Sequence, residues 1–462
     1  MESAFHNTVR LAEELLDAED SSDPFSRRTA QEYRAKLDLG LNPEGRPPEQ
    51  VYQNMRELML ATPQTSSPRF FNQLFAGRLP IATAADWLAG MLNVSMYTFK
   101  AAGPMILAEQ EVASRMCKFA GYENGDGISV PGGSIANLIA MLMGRNQAVP
   151  QLRDEGADGR RLTYYVSSEG HYSISKNAGV LGTGRNNVRK IAVDAKGKMC
   201  PKDLRATVAR DLAEGAVPCA IIATAGTTVM GEFDPIRAIA EIAQEFGVWL
   251  HVDGAFGGTL LLHPDARKKL DGVELADSLT WDAHKSMGVP LMCSMLLTKD
   301  AQVMHQNLNE AADYLFQADD ERLNPGTRSV QCGRRNDTFK LWAAWQQLGD
   351  QGWAARIEKQ LGLARYAVAR IQREEQLELT IEPASTTVCF TVKGVASPAI
   401  CDYLHDSGIA WIGYGNVFGE NVVRLVTSNP DVSEEDLDSL FDSILAAADS
   451  ILATSPSSSR SC

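Results

Sequence analysis

The sequence predicts an α/β protein with a mostly parallel sheet in a large central domain, a smaller C-terminal α/β domain and an N-terminal helical arm. Short apolar runs alternate with helical segments between about residues 105 and 300. Strands that are buried on both faces and separated by helical connections are typical of parallel sheets. Two further apolar runs follow a long helical stretch near 336–375, and these runs predict the smaller domain.

The N-terminal segment, residues 1–104, is predicted to be a helical arm and not a compact domain. Its first 65 residues have helical patterns that are interrupted at 42–48 by "NPEGRPP". Arms of this kind usually pack on a partner, so the segment is consistent with an oligomer.

The large domain is predicted over residues 105–340. Its predicted strands are the runs "RLTYYVSS", "VRKIAV", "CAIIATAGT", "GVWLHVDGAF", "DSLTWDAH" and "LMCSMLLT". The small domain is predicted over residues 341–452, where "TTVCFTVKG" and "VVRLVTS" are strands with helices between and after them. The tail 453–462, "ATSPSSSRSC", is predicted to be disordered.

Composition argues against several classes of protein. The chain has 462 residues, of which 44% are hydrophobic, and no apolar run is long enough to span a bilayer. A soluble protein is therefore expected, and the acidic N-terminus without signal-peptide features predicts a cytoplasmic location. Eight scattered cysteines indicate reduced thiols and no zinc site. A formal charge of −14 disfavours nucleic acids and anionic membranes as partners.

Two segments of the large domain suggest groups that bind a flat, phosphorylated ligand. The segment "SVPGGSIANLIAML" places Gly133 and Ser134 at the start of an apolar helix, where N–H groups and the helix dipole can hold a phosphate. An ordinary loop is the alternative. The segment "WLHVDGAFGG" ends a strand with Asp253, close to the small residue Ala255. A buried carboxylate there can keep a ring nitrogen protonated, although a helix cap or a magnesium ligand would have the same pattern.

A histidine and a lysine at two other strand ends complete the pattern. His171 can stack on a flat heteroaromatic ring and donate a proton, or can be purely structural. Lys285 follows His284, and an amine among apolar strand ends can attack an aldehyde, whereas most such lysines extend to solvent. A phosphate seat, a carboxylate, an imidazole and an amine together predict pyridoxal phosphate binding.

The sequence resembles the group II pyridoxal-phosphate-dependent amino acid decarboxylases from about residue 68 to residue 448. The matching segments are "PRFFNQLFAG", "PGGSIAN", "HYSISKNAG", "ATAGTTVMGEFDP", "LHVDGAFGG", "HKSMG", "YLFQ", "QCGRRND" and "VVRLVTSNP". The resemblance implies the PLP-dependent transferase fold of type I, with a mostly parallel seven-stranded-type sheet. It also implies a homodimer with the active site at the subunit interface.

The resemblance assigns roles to individual residues. Lys285 resembles the lysine that binds the cofactor covalently, Asp253 the partner of the pyridine nitrogen, and His171 the residue stacked on the ring. Gly133 and Ser134 match the phosphate-binding turn.

Four other residues are expected around the cofactor: Thr228, Ala255, Asp282 and His284. Thr228 matches a threonine beside the cofactor. Many relatives have Asn-Pro before the His-Lys pair, whereas this chain has Asp282 and Ala283, so the contact of Asp282 with the cofactor stays open.

The donor that returns a proton to the substrate α-carbon is the largest departure from the family pattern. Relatives carry a tyrosine in a mobile loop, and the matching stretch 318–330, "ADDERLNPGTRSV", has none. His171, Gln73 or a residue of the partner subunit are the candidates for this role, and Tyr314 ranks lower.

The predicted substrate-binding residues are Phe75, Ser95, Tyr97 and Arg424. The segments "PRFFNQLFAG" and "LNVSMYTF" resemble those of the glutamate and cysteine sulfinate decarboxylases. In that branch the arginine that matches Arg424 receives the acidic end of the substrate, unless it merely pairs with a nearby acid. Phe75 would shorten the pocket and favour cysteine sulfinate, cysteate or aspartate over glutamate, although it could equally be core packing.

These observations predict decarboxylation of a small acidic amino acid to hypotaurine, taurine or β-alanine, with release of CO2. Three alternatives remain: a glutamate decarboxylase that makes GABA, an aminotransferase of the same fold class, and a catalytically inactive regulatory subunit. The stretch "GVLGTG" does not indicate a dinucleotide site because no helix start follows its glycines.

Overall fold

The structure is a computed structural model that describes residues 2–21, 28–72, 74–156, 158–310 and 321–454. Two compact units divide the chain. The small unit comprises Met1–Gly77, Leu363–Glu382 and Val388–Cys462, and the large unit comprises Arg78–Gly362 and Pro383–Thr387. These boundaries differ from the predicted ones, since residues 78–104 belong to the large unit and the segment before them groups with the C-terminal strands.

Helices and strands follow one another through most of the described part of the chain. The helices are α1 (Glu2–Ser21), α2 (Ala30–Lys36), α3 (Pro48–Ala61), α4 (Pro80–Leu92), α5 (Phe99–Ala102), α6 (Pro104–Ala120), α7 (Gly133–Ala148), α8 (Leu152–Glu155), α9 (Ser173–Val180), α10 (Pro201–Ala213), α11 (Ile236–Phe246), α12 (Val303–Leu308), α13 (Thr338–Arg373, kinked at Gly349), α14 (Ser397–Asp406) and α15 (Glu434–Thr454). The strands are β1 (Asp126–Val130), β2 (Leu162–Ser167), β3 (Val188–Ile191), β4 (Val217–Thr224), β5 (Trp249–Asp253), β6 (Ser278–Asp282), β7 (Ser294–Thr298), β8 (Leu377–Ile381), β9 (Thr387–Val392), β10 (Gly413–Val417) and β11 (Glu420–Val426).

The large unit is built on a sheet that has seven strands among the described residues, in the order β1-β7-β6-β5-β4-β2-β3. Strands β3, β2, β4, β5 and β6 pair in parallel, and β7 runs antiparallel to both β6 and β1. Strand β1 therefore points in the same direction as β6. Every residue of β2, β5, β6 and β7 is buried, which explains why these strands have continuous apolar runs and no alternation. The predicted mostly parallel sheet is confirmed.

The helices of the large unit begin and end where local chemistry favours it. Helices α4, α6 and α10 have proline in the first turn, where a missing N–H costs no helical hydrogen bond. Helices α6 and α11 end at Gly121 and Gly247, which adopt left-handed φ angles of 77° and 65°. These ends keep the connections between strands short enough to return to the sheet.

The small unit contains a sheet with the order β10-β11-β9-β8 in the described part of the chain. Its helices α14 and α15 pack on this sheet, and the rings of Phe390 and Phe441 lie 5.7 Å apart in the core. The segment before Gly77 joins the same unit, since the Phe71 N–H donates to the Trp411 carbonyl at 2.7 Å. In addition, the Val426 N–H donates to the Phe71 carbonyl at 3.2 Å.

None of the helices in the described ranges combines the length and the apolar character that crossing a bilayer requires.

Candidate active site

Six strands of the large unit end at the same edge of its sheet, because β1 to β6 all point in one direction. Open α/β sheets bind ligands at the carboxyl ends of their strands. The predicted cofactor residues all lie at or just after these ends. The sheet topology therefore brings together segments that are far apart in sequence.

Helix α7 begins directly after β1 and presents its N-terminus at this edge. Gly132 has a φ of 98°, and Gly133 is the first helical residue. A Cβ on Gly133 would lie 2.7 Å from Asp282 Oδ2 and 3.2 Å from the Ala255 Cβ, so only glycine fits there. Ser134 is exposed, and its carbonyl accepts a hydrogen bond from Asn177 Nδ2 at 2.9 Å. The free N–H groups of this 16-residue helix form a seat for an anion.

Asp253 is the last residue of β5 and is 6% exposed. Its Oδ2 accepts a hydrogen bond from Asn137 Nδ2 at 2.8 Å, and its Oδ1 accepts one from the Ala255 N–H at 3.2 Å. Both oxygens are thus held in place by donors, and Ala255 is buried beside them. A buried carboxylate held by two donors can accept a charge-assisted hydrogen bond from a cationic ring nitrogen.

His171 follows β2 and is half-buried. Its Nδ1 lies 2.8 Å from Ser173 Oγ and 3.3 Å from the Ser173 N–H. Burial lowers the pKa of His171, while the nearby Asp253 raises it and Lys285 lowers it. These opposing charges show that the imidazole, the carboxylate and the amine share one local environment.

Lys285 comes three residues after the end of β6. Its Nζ lies 3.3 Å from Asp282 Oδ2, and its side chain is 26% exposed, so the amine does not simply extend to solvent. Asp282 is buried, and no described residue hydrogen-bonds to its Oδ1. The pair places an amine directly beside a proton acceptor.

His284 approaches the same oxygen of Asp282, with Nε2 3.6 Å from Asp282 Oδ2. His284 Nδ1 lies 3.1 Å from the Cys293 carbonyl oxygen and 3.2 Å from the Cys293 backbone nitrogen. Burial lowers the pKa of His284, and the charge of Asp282 opposes this shift. Thr228 is exposed in the turn after β4, whereas its neighbour Thr227 is buried and accepts a hydrogen bond from the Glu232 N–H.

Ser95 and Tyr97 lie in the segment between α4 and α5 of the large unit. Ser95 Oγ accepts a hydrogen bond from the Arg334 N–H at 3.3 Å, and the Tyr97 carbonyl accepts one from the Gly326 N–H at 2.8 Å. The Arg334 guanidinium is buried and donates to both oxygens of Glu109, at 2.8 and 3.0 Å. A buried ion pair therefore secures the segment that carries the two predicted substrate residues.

Arg424 belongs to the small unit, on β11 opposite Gly413 of β10. It is half-buried, and its Nε has no hydrogen-bond partner in the described part of the chain. Burial lowers the pKa of the Arg424 guanidinium, and the Cys389 thiol opposes the shift. A Cβ on Gly413 would meet the Asn72 amide, so this glycine lets the segment that carries Phe75 approach β10 closely.

Phe75 is half-buried in the small unit and forms an edge-to-face contact with Phe70, with 5.9 Å between ring centroids. The Phe70 ring lies 5.5 Å from the Trp411 ring, so Phe75 joins an aromatic cluster. Gln73 lies outside the described residues, as do Tyr314 and residues 318–320 of the predicted loop.

Two residues that hold the site together, Asn137 and Ser173, were missed by reasoning from the sequence. Asn137 lies four positions after Gly133 and is therefore on the same face of α7, which packs on the sheet. A polar side chain on that buried face was the signal that could have found it.

Comparison with known proteins gives the family. Residues 31–393 match the family model described as "Pyridoxal-dependent decarboxylase conserved domain". The chain belongs to this family. It is 38% identical over 434 residues to the cysteine sulfinic acid decarboxylase of Mus musculus, covering 89% of this chain and 88% of that protein. It is 36% identical over 458 residues to the "Acidic amino acid decarboxylase GADL1" of Bos taurus, covering 94% and 88%.

Solved structures of pyridoxal-dependent decarboxylases share the fold. The crystal structure of mouse CSAD superposes with a TM-score of 0.90 at 35% sequence identity, covering 97% of this chain and 99% of that one. The crystal structure of Oryza sativa TDC with PLP and tryptamine gives a TM-score of 0.91 at 23% identity, covering 97% and 98%, and shows the fold alone. The predicted fold class, the amino acid decarboxylase activity and the cofactor are confirmed.

The residues at the sheet edge fit pyridoxal phosphate. The N-terminus of α7, which begins at Gly133, presents backbone N–H groups that can bind a phosphate, and Asp253 has both oxygens oriented by donors. An imidazole and a primary amine lie in the same charged environment. This donor set matches the phosphate, the ring nitrogen, the ring face and the aldehyde of the cofactor.

Proposed function

We propose that the chain decarboxylates a small acidic amino acid, namely cysteine sulfinate, cysteate or aspartate, to hypotaurine, taurine or β-alanine. The observation that carries the substrate class is Arg424, whose half-buried guanidinium has an Nε without a hydrogen-bond partner among the described residues. A desolvated cation with an unused donor is a receptor for an anionic group. The relatives named cysteine sulfinic acid decarboxylase and acidic amino acid decarboxylase support this proposal.

Pyridoxal phosphate, when bound, supplies an aldehyde that captures the substrate amine and a ring that accepts the electrons of the breaking carboxylate bond. Gly133 and Ser134 would hold its phosphate, and Asp253 would bind its ring nitrogen. His171 would lie against the ring, and Lys285 would attach to the aldehyde. Thr228, Ala255, Asp282 and His284 would line the same cavity.

The residues around Lys285 would position its amine, limit the access of water and return a proton to the α-carbon. Asp282 Oδ2, 3.3 Å from Lys285 Nζ, would hold the amine in position through a charge-assisted hydrogen bond. Asp282 is buried and His171 half-buried, and partial exclusion of water favours departure of a charged carboxylate as neutral CO2. His171 is our candidate for returning a proton to the α-carbon, and Gln73 or a residue of the partner subunit are the alternatives.

The substrate would be selected by its length and by its acidic end. The guanidinium of Arg424 offers a planar fork that suits a sulfinate, sulfonate or carboxylate. Phe75 would limit the length of the side chain, and Ser95 and Tyr97 would contact its polar atoms. A three-carbon acid is therefore preferred over glutamate.

The test is a screen of amine products and CO2 with the cofactor-loaded full-length protein. Cysteine sulfinate, cysteate, aspartate and glutamate are compared at equal concentrations, and phenylalanine and lysine serve as non-acidic controls. We expect turnover of at least one three-carbon acid at a kcat/KM above that of glutamate. Preference for glutamate would support the glutamate decarboxylase alternative, and turnover of only the non-acidic controls would contradict the role of Arg424.

Two further measurements separate the remaining alternatives. Formation of a keto acid in place of CO2 would indicate an aminotransferase. An inactive regulatory subunit would show no absorbance change when an amino acid is added to the yellow protein. We expect CO2 release and a change in the cofactor absorbance.

We also propose a homodimer with its active site at the subunit interface. Helix α4 carries a row of apolar side chains that are about half exposed or more, formed by Trp87, Leu88, Met91 and Leu92. Such a row on one helix face is typical of a surface that a partner covers. Light scattering should give twice the monomer mass, and Met91→Glu together with Leu88→Glu should shift the protein toward the monomer.

The cytoplasm is the location that we propose. Cysteines of the described residues are free thiols, and Cys117, Cys219, Cys293, Cys389 and Cys401 are buried. Reduced, buried thiols suit a reducing compartment. Fractionation of the native source, with detection of the protein in the cytosolic fraction, tests this point.

A further inference from the structure

A buried hydrogen-bond network joins Asp253 to His171 through Asn137 of α7. The Asn137 side chain is 1% exposed, and its Nδ2 lies 2.8 Å from Asp253 Oδ2 and 3.4 Å from Ser173 Oγ. Ser173 Oγ in turn lies 2.8 Å from His171 Nδ1. One amide group therefore contacts the carboxylate directly and the imidazole through one hydroxyl.

The direction of each hydrogen bond in this network follows from chemistry. The side-chain atom of Asn137 that faces Asp253 is the nitrogen, because a carboxylate can only accept. The opposite atom, Oδ1, then accepts from Thr280 Oγ1 at 2.9 Å and faces His251 Nε2 at 3.0 Å. The contacts of Nδ2 and of Oδ1 together therefore fix the orientation of the Asn137 amide.

His251 stabilises this orientation of the Asn137 amide through the contact with Oδ1. It is completely buried, and burial lowers the pKa of His251 to about 4, so the ring is neutral at pH 7. Its Nε2 must carry the proton, because two acceptors would otherwise face each other across 3.0 Å. Its Nδ1 then accepts from Ser278 Oγ at 2.8 Å, and that oxygen accepts from the Trp249 indole N–H at 3.0 Å.

The other end of the network determines the tautomer of His171. The backbone N–H of Ser173 points at His171 Nδ1 at 3.3 Å, and an N–H can only donate. The Ser173 hydroxyl can donate to the same nitrogen while its oxygen accepts from Asn137. Nδ1 is therefore an acceptor, and a neutral His171 ring carries its proton on Nε2.

We propose that Asn137 is a positioning residue that couples the carboxylate of Asp253 to the Nε2–H tautomer of His171. The inference rests on the proposed function for the roles of Asp253 and His171 toward the cofactor. The network itself belongs to the polypeptide and can be measured without the cofactor. A change at Asn137 should affect both groups, whereas a change at Ser173 should affect His171 alone.

The first test is ¹⁵N NMR of the cofactor-free chain with labelled histidine, and the His171→Gln variant assigns the signals. We expect a protonated Nε2 and an unprotonated Nδ1 for His171 near pH 8. Ser173→Ala removes the shorter of the two contacts to Nδ1 and leaves the longer one from the backbone N–H, so His171 should move partly toward the other tautomer while the His251 signals stay unchanged. A wild-type His171 that carries its proton on Nδ1 would overturn the inference.

The second test is the dissociation constant of pyridoxal phosphate, measured by absorbance titration. Asn137→Asp keeps the shape but replaces the donor facing Asp253 by a like-charged acceptor, so we expect binding about 10- to 100-fold weaker. Asn146→Asp, a buried position on the same helix, is the matched control. This control should stay within about twofold of the wild type.

The outcomes separate this inference from the proposed function. Cofactor affinity of Asn137→Asp within about twofold of the wild type would contradict the coupling, whatever the substrate proves to be. Failure of all the acidic amino acids in the CO2 assay would contradict the proposed function and leave the histidine signals as expected. If Asn137→Asp does not fold, the wild-type tautomer and the Ser173→Ala response decide.

Discussion

Asp253 of the large unit and Arg424 of the small unit differ in how their charged side chains are paired. In the large unit, both oxygens of Asp253 accept hydrogen bonds, from Asn137 and from the Ala255 backbone. In the small unit, Arg424 has a half-buried guanidinium whose Nε lacks a hydrogen-bond partner among the described residues. The first group has its hydrogen-bond partners within the chain, and the second has a donor left for a ligand. Our proposal accordingly assigns Asp253 to the cofactor and Arg424 to the acidic end of the substrate.

The largest expected effect is on the reaction itself. Lys285→Ala removes the nucleophilic amine, so kcat should fall by about a thousandfold or more. The absorbance band of the covalent cofactor link should disappear as well, which spectroscopy can detect. Lys268→Ala, an exposed lysine of the same unit, is the control and should retain both. Activity of Lys285→Ala within tenfold of the wild type would contradict the role of Lys285 as the amine that binds the cofactor.

The second-largest effect should be on the use of the substrate, with no change in the binding of the cofactor. Arg424→Gln removes the charge, and kcat/KM for the preferred acidic amino acid should fall by about 100-fold. Cofactor absorbance should remain unchanged, since the residues that we propose to hold the cofactor lie in the large unit. Arg373→Gln, an exposed position on α13, is the control. An equal loss for acidic and neutral amino acids would show that Arg424 is structural.

His251, which contacts Asn137 in the buried network, should make the stability of the protein depend on pH. His251 has a pKa of about 4 in the folded chain and an ordinary value of 6.5, so the unfolded chain binds a proton first as the pH falls. The contribution of His251 to the free energy of unfolding is complete above pH 6.5 and is lost as the pH falls toward 4. Between pH 7 and pH 5 the loss is about 2 kcal/mol.

The measurement for this effect is urea unfolding of wild type and His251→Gln at the two pH values. Burial raises the pKa of Asp234 to about 6 and gives an opposite dependence, so only the difference between the proteins is informative. His251→Gln should lose less stability on acidification than wild type, and His6→Gln, at an exposed position on α1, should behave like wild type. Parallel curves for wild type and His251→Gln would be the contrary result.

The smallest expected effect concerns substrate length. Phe75→Ser should raise the kcat/KM for glutamate relative to aspartate by about tenfold, since about one methylene of length is at stake. Phe75→Leu keeps most of the volume and should change the ratio less. If both variants lower the unfolding temperature and neither changes the ratio, Phe75 serves only the aromatic cluster with Phe70.

The sequence predicted most of the large sheet because its strands are continuous apolar runs. It did not predict β1, β8 or β10, which are five residues each and contain glycine or polar residues. The predicted domain limits also differ from the two units, because the β-bridge between Phe70 and Trp411 joins segments more than 300 positions apart. No local pattern reports such a contact.

The residue types and their order along the chain predicted pyridoxal phosphate binding, and the resemblance of nine segments to one family predicted a decarboxylase. A glycine turn before a helix, an acid, a histidine and a lysine at strand ends each have a local chemical signature, and their combination is specific. Only the tertiary structure decided how these groups are oriented. Asn137 and Asp253 are 116 positions apart in the sequence. Their hydrogen bond forms because α7 packs against β5 in the folded chain. Hydrogen-bond partners depend on distances of a few tenths of an ångström, which packing sets and sequence spacing does not.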